Sequence, residues 1–441
     1  MAKLFGTDGI RGVANRDLTP DLILAIGRAA GVVAAEGGVA VVGRDTRLSG
    51  PMLEAALVAG LCSAGVEVRL AGIIPTPAVA FLTTVEKADT GAVISASHNP
   101  VPDNGIKFFS AEGYKIDATT EEAIEAALAT APADLPQGDR IGTSLELGDA
   151  ADHYIDHLLG SIDQPLQGVR VVLDCAFGAA YEVGPRAFKE AGADVTVLNA
   201  EPDGARINVN CGSTDLSHLA REVLAHGADM GFAFDGDADR VLAIDEEGGE
   251  VDGDRILALS ALRMKESGKL RNNLLVATVM ANLGFRRALA DHGIDVVSAA
   301  VGDKHVVAGM IDHDAALGGE QSGHVIFSDH STTGDGILTA LQVASAVAGS
   351  DSTLARLAHV FEPFPQVLIN VPVASRDALE GAEGLWERVR AAEAALGDDG
   401  RVLLRASGTE QVVRVMVEAA DADVARRTAA ELADEVRRAI A

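Results

Sequence analysis

Of the 441 residues, 36 are Lys or Arg and 65 are Asp or Glu, a formal net charge of −29. A field of that sign opposes nucleic-acid phosphates and anionic membrane surfaces, so neither is an expected partner. An apolar content of 48% with 23% charged residues excludes a largely disordered chain. The cysteines Cys62, Cys175 and Cys211 are too scattered for a disulfide framework or a cysteine zinc site, which fits a reducing compartment.

The stretch Met1 to Gly9 has no apolar run of signal-peptide length, so a cytoplasmic chain is expected. Three short runs, Val39-Ala40-Val41-Val42, Val169-Arg170-Val171-Val172-Leu173 and Leu274-Leu275-Val276, read as buried strands. After each comes a helix-like run, then a glycine, then a β-rich run opened by an acidic residue: Gly65 before Glu67, Gly192 before Asp194, Gly293 before Asp295. Glycine tolerates the left-handed cap that ends a helix ahead of a strand. This triplication predicts three successive α/β domains, over residues 1–154, 155–255 and 256–364, with mixed or parallel sheets. The Pro- and Gly-rich stretch from Asp134 to Gly148 marks the first boundary loosely, and the apolar stretch Ile337 to Gly349 is too short to span a bilayer and reads as a buried helix. Pro363-Phe364-Pro365 predicts a linker. Beyond it, strands at Val367–Val371, Arg401–Arg405 and Val412–Val417, with helices near Leu385–Ala395 and from Asp423 onward, predict a small α+β domain over residues 365–441.

Four polar loops follow or join these strands. Ser97-His98-Asn99-Pro100 follows the strand Gly91 to Ile94, and Pro100 blocks a helix, so Ser97 and His98 are expected on an exposed loop where open α/β sheets place ligands. Alone it is also an ordinary turn; no G-x-S-x-G elbow supports a protease triad. The run from Asp103 to Lys107 is a turn into a strand that can carry Lys107 to the same place. Asp235, Asp237 and Asp239 alternate at a strand end, where three carboxylates can converge on a hard cation. An acidic surface turn is the plain alternative, and an EF-hand fails because Arg240 stands where that loop needs glycine. Arg240 itself is a ready phosphate partner. Glu320-Gln321-Ser322-Gly323-His324 offers a carboxylate, a hydroxyl and an imidazole suited to sugar hydroxyls. Arg405-Ala406-Ser407-Gly408-Thr409-Glu410, followed by Arg414, is either a hairpin loop or a donor set for a phosphate dianion. His153 and His157 have zinc-like spacing, but Tyr154 stands where a zinc protease needs Glu.

In this order the four loops resemble the phosphoserine, metal, sugar and phosphate loops of the α-D-phosphohexomutase family, one per inferred domain. Phe5-Gly6-Thr7-Asp8-Gly9-Ile10-Arg11-Gly12, Ala238, Gln321 and Val301-Gly302-Asp303 are similar to the bacterial members that act on glucosamine phosphates, although Ala406 and Gln411 stand where the phosphate loop often has prolines. The resemblance implies three related α/β domains and a TATA-binding-protein-like C-terminal domain around a central cleft. It also implies interconversion of glucosamine 6-phosphate and glucosamine 1-phosphate through phosphorylated Ser97 and a sugar bisphosphate, supplying amino-sugar precursors of the cell wall. A phosphomannomutase or phosphoglucomutase, or a non-catalytic phosphosugar-binding protein, is the alternative. One Mg²⁺ is expected on Asp235, Asp237, Asp239 and a phosphoryl oxygen of Ser97. Arg240 and Lys107 would neutralise the transferring group, and Arg11, His98, Lys107 and His324 are the remaining catalytic candidates. Substrate contacts fall to Glu320, Ser322, Lys304, Arg405, Ser407, Gly408, Thr409 and Arg414, and a homodimer is the assembly to test.

Overall fold

The computed structural model describes residues 4–6, 8–35, 37–130, 134–407 and 411–440. The chain forms two compact units, Met1–Met280 with Ile294–His359, and Ala281–Gly293 with Val360–Ala441.

The first unit contains three sheets built on one plan. In the first, Val39–Arg44 lies between the parallel strands Glu67–Ile73 and Thr90–Ile94, and Thr90–Ile94 pairs antiparallel with Asp103–Ser110. In the second, Arg170–Asp174 lies between the parallel Asp194–Leu198 and Met230–Phe234, and the latter pairs antiparallel with Val241–Asp245. In the third, Leu274–Thr278 lies between the parallel Asp295–Ala299 and Leu317–Gly319, which pairs antiparallel with Val325–Phe327. The parallel strands are apolar because helices cover both faces: Thr90–Ile94 and Met230–Phe234 are buried at every residue. Gly65, Gly192 and Gly293 all sit at positive φ, +88°, +102° and +65°, directly ahead of the strands that Glu67, Asp194 and Asp295 open. The expected loose boundary at 134–148 is partly structured: Ser144–Glu146 pairs parallel with Val68–Leu70 and extends the first sheet. The exposed edge of Glu67–Ile73 supplied ladder partners that local composition does not reveal.

A consequence of this plan positions the chemistry. In all three sheets the third strand turns directly into the antiparallel fourth, and these turns are residues 95–102, 235–240 and 320–324. Helix Gly336–Ala348 is buried and starts against the second turn, where the Gly336 N–H is accepted by the Ala238 carbonyl at 2.9 Å, and its cap is chemically unusual. Asp335 accepts the Leu338 N–H at 2.9 Å and the Tyr154 hydroxyl at 2.8 Å, while burial raises its pKa to about 6. A carboxyl whose pKa rises on folding favours the folded state only while protonated, so its contribution is lost as pH climbs from about 4 to about 6. Above that range the ionised group costs roughly 3 kcal/mol. Asp335→Asn keeps the cap acceptor without the charge. Its urea midpoint should exceed wild type at pH 7.5 and converge with it near pH 4.5; a pH-independent gap would refute this assignment.

The second unit has an antiparallel sheet in the order Gln366–Pro372, Val412–Ala419, Gly400–Ala406. Helices Glu383–Leu396 and Ala422–Ile440 pack on it through Leu385, Val389, Ala425, Ala429, Leu432 and Val436. Helix Leu283–Asp291 joins this unit rather than the third sheet's own layer. Phe285 stacks edge-on against Phe361 with ring centroids 6.0 Å apart, and the Leu283 N–H is accepted by Glu418 Oε2 at 2.9 Å. Among the described residues no helix is long and apolar enough to cross a membrane.

Candidate active site

Ser97 lies within the turn after Thr90–Ile94 in the left-handed region, at φ +53°. A side chain there costs about 1–3 kcal/mol and persists only where neighbours fix it. They do so densely. The Ser97 N–H is accepted by Ser95 Oγ at 2.9 Å, its carbonyl accepts from Arg47 Nη2 at 2.9 Å and Asn208 Nδ2 at 2.9 Å, and its Oγ donates to Asp235 Oδ2 at 2.5 Å. The loop was expected to be exposed, yet Ser97 is 1% exposed. The second sheet's turn covers it, with Gly236 lying so close that a Cβ there would come within 2.7 Å of the Ser97 carbonyl. His98 remains half-buried with Nδ1 3.2 Å from Ser97 Oγ. Burial, then the cations Arg240 and Arg11, push its pKa down to about 4, so it is neutral at pH 7.

Asp235, Asp237 and Asp239 are all buried, each offering a carboxylate oxygen within 4.8 Å of the others. Asp237 Oδ2 accepts from Thr76 Oγ1 at 2.6 Å and from Lys107 Nζ at 3.1 Å, and Asp239 Oδ2 accepts from the same ammonium at 3.1 Å. The other oxygens, Asp237 Oδ1 and Asp239 Oδ1, are buried with no hydrogen-bond partner. Three buried carboxylates that can each bring an oxygen within 4.8 Å of the others, two of them with an oxygen lacking a hydrogen-bond donor, fit a hard divalent cation. Burial first, then Asp239 and Asp237, raise the Asp235 pKa well above the ordinary carboxylate value. Lys107 is 1% exposed; burial works against its charge, but Asp237, Asp239 and Asp8 hold its pKa well above the usual lysine range.

The third turn closes on the second. Gly323, at φ +90°, lies against the Val241 carbonyl, where a Cβ would come within 2.1 Å, and the Val241 N–H is accepted by the Gly323 carbonyl at 3.1 Å. His324 is 2% exposed, its Nε2 accepting the Gly334 N–H at 3.0 Å and its Nδ1 lying 3.8 Å from Asp239 Oδ1. Burial lowers its pKa and Asp239 and Asp303 more than reverse that, whereas the Gly334 contact requires an unprotonated Nε2. Glu320 Oε1 accepts the Gly302 N–H at 3.0 Å, and exposed Ser322 reaches Glu320 Oε2 at 3.4 Å. Arg11 donates to Asn99 Oδ1 at 2.9 Å and pairs with Asp8. Arg240 lies 3.8 Å from Asp239 Oδ1, its Nε buried without a hydrogen-bond partner. Lys304 does not join this group: its ammonium is held by Glu121 and the Ile116 carbonyl.

In the second unit Arg405 and Arg414 are cross-strand partners on Gly400–Ala406 and Val412–Ala419, which sets both guanidinium groups on one face. Ser407 is 3% exposed and its carbonyl accepts from Arg376 at 2.6 Å. Gly408 and Thr409 lie outside the described residues.

The sequence reading missed Asp45, Arg47, Thr76, Lys115 and Asp303 as parts of the site. Lys115 bridges Asp8 and Asp303, tying the N-terminal loop to the third sheet's helix Asp303–His313. Asp45-Thr46-Arg47 directly follows the strand Val39–Arg44, the same strand-end position that singled out the other loops, and that signal was available.

Family models for the phosphoglucomutase/phosphomannomutase alpha/beta/alpha domains I, II and III match residues 2–134, 152–249 and 252–364, and the model for its C-terminal domain matches 368–435. The phosphoglucosamine mutases of Salinispora arenicola and Streptomyces avermitilis are each 53% identical to this chain, covering 100% of it and 99% and 100% of their own lengths. Among solved structures, a phosphoglucomutase/phosphomannomutase family protein of Burkholderia thailandensis superposes with TM-score 0.84 at 27% identity, over 99% of this chain and 97% of that one. An N-acetylphosphoglucosamine mutase of Aspergillus fumigatus, solved with GlcNAc-6P and magnesium, shares the fold at TM-score 0.74 and 20% identity, over 99% and 96% of the two chains. Matched domain by domain and end to end, the chain belongs to the phosphoglucomutase/phosphomannomutase family of α-D-phosphohexomutases.

Proposed function

We propose that this chain interconverts glucosamine 6-phosphate and glucosamine 1-phosphate by passing a phosphoryl group to and from Ser97, with a sugar bisphosphate as the intermediate. The chemistry rests on one observation: Ser97 Oγ donates at 2.5 Å to Asp235, one of three buried carboxylates that can each bring an oxygen within 4.8 Å of the others. The choice of sugar rests on full-length likeness to phosphoglucosamine mutases at 52–53% identity. Within this reading the reaction feeds amino-sugar precursors of the cell wall, in the cytoplasm, and a homodimer is checked by light scattering.

Asp235, Asp237 and Asp239 would hold Mg²⁺ together with an oxygen of phosphorylated Ser97; bound there, the ion supplies positive charge to the phosphoryl oxygens. Lys107, protonated between Asp237 and Asp239, stabilises negative charge but has no lone pair with which to act as a base. The lone pair of His324 Nε2 is engaged by Gly334. His98, neutral and half-exposed beside Ser97, is the imidazole free to take or return a hydroxyl proton. Arg11 and Arg240 add charge around the transferring group, Glu320 and Ser322 take sugar hydroxyls, and Arg405, Ser407, Gly408, Thr409 and Arg414 take the substrate's phosphate. Lys304 can reach the substrate only once its amine leaves Glu121.

A coupled assay with glucosamine, glucose and mannose 6-phosphates tests the sugar. We expect kcat/KM for glucosamine 6-phosphate to lead by at least about tenfold, the scale of one well-made polar contact. Equal or higher values for mannose or glucose would transfer the assignment to the other mutases of the family.

A further inference from the structure

We infer that Arg47, oriented by Asp45, is a positioning residue for Ser97: it holds the nucleophile's backbone at the geometry from which Oγ meets the transferring phosphoryl group. This inference rests on the phosphoserine reading above. Arg47 is completely buried, and four of its guanidinium hydrogen bonds go to carbonyls of the serine turn and of the first residue of the strand after it. Nη1 donates to the carbonyls of Pro100 at 2.7 Å and Asp103 at 2.9 Å, and Nη2 to those of Ser97 at 2.9 Å and Asn99 at 2.8 Å. Nε donates to Asp45 Oδ2 at 3.0 Å, and the same oxygen accepts Ser95 Oγ at 2.6 Å, which in turn accepts the Ser97 N–H. The clamp therefore reaches Ser97 from both sides, through its N–H and through its carbonyl, and so opposes relaxation from φ +53°. A planar five-donor fork can span four carbonyls in a way that an ammonium with three donors cannot.

The intervening Thr46 extends the effect to the acidic turn. Its Oγ1 donates to the Phe177 carbonyl at 2.6 Å, and two residues on, the Ala179 N–H is accepted by the Gly236 carbonyl at 2.8 Å. One three-residue segment thus fixes the serine turn and buttresses the carboxylate turn, which sets the spacing between them.

Arg47→Lys separates positioning from mere stability. Turnover should fall about 100-fold with KM within about threefold of wild type, because misplacement of reacting atoms by an ångström costs about that much in rate. Phosphorylation of Ser97 by glucose 1,6-bisphosphate, followed by intact mass, should slow in parallel. Asn208→Gly, which removes only the second donor to the Ser97 carbonyl and keeps the positive φ of +60° at that site, should lower kcat about fivefold. Unchanged kcat per folded molecule in both variants, or a loss confined to KM, would overturn the inference. Should Arg47→Lys fail to fold, Asn208→Gly decides alone. A wild-type chain inert toward every hexose phosphate would instead refute the proposed function, and the two failures are distinguishable.

Discussion

Ser97→Ala should leave a folded protein with mutase turnover reduced by roughly 10⁴–10⁶-fold, the scale on which loss of a nucleophile is felt in covalent enzymes. The fold should survive because the backbone contacts that hold this turn, from Arg47, Asn208 and Ser95, do not involve the hydroxyl. Peptide mass spectrometry of the active wild type should place the phosphate on Ser97. Ser95 is the natural confounder, two residues away in the same turn. Its hydroxyl is fully buried and already engaged on both sides, donating to Asp45 Oδ2 and accepting the Ser97 N–H. Near-normal turnover in Ser97→Ala, or phosphate found on Ser95, would reject the covalent route as assigned.

Asp235→Asn should show activity and stability moving in opposite directions. Three buried carboxylates within 4.8 Å repel one another, and burial together with Asp239 and Asp237 raises the Asp235 pKa. A raised carboxyl pKa means that ionisation disfavours the folded state at neutral pH. The asparagine removes that charge and still offers Oδ1 to the Arg240 N–H, which Asp235 accepts at 3.2 Å. In EDTA the variant should therefore melt a few degrees above wild type. Mg²⁺ should raise the melting temperature of wild type and leave the variant's nearly unchanged, since an ion stabilises only the form that binds it. Mutase activity should fall at least about 100-fold. Equal Mg²⁺ stabilisation of both proteins would remove Asp235 from the ion's ligands.

Much of this was written locally. The repeated order of Val-rich strand, helix, glycine and acid-opened strand gave three α/β units because each element is specified by its own residues: Gly65, Gly192 and Gly293 occupy left-handed caps that other residues enter at a cost. The loops were visible for a related reason. Residues 95–102, 235–240 and 320–324 interrupt apolar strands with polar, Gly- and Pro-containing turns, and a strand end is where a sheet presents ligands. Lys304 shows the limit of that logic, since proximity in sequence to Asp303 said nothing of Glu121, which holds its amine.

By itself, then, the sequence determined the order of elements, the three-fold plan of the first unit and the identity of the polar turns, because periodicity and backbone preference act over a few residues. Only the tertiary structure decided that Ser97 is buried rather than exposed, that Lys107 sits between Asp237 and Asp239, and that Arg47 grips the serine turn from 50 residues away. Thr76 meets Asp237 across 161 residues of chain. Such meetings follow from how separately folded sheets pack together, and that packing depends on side-chain shape and charge summed over whole faces, which no short window of sequence contains.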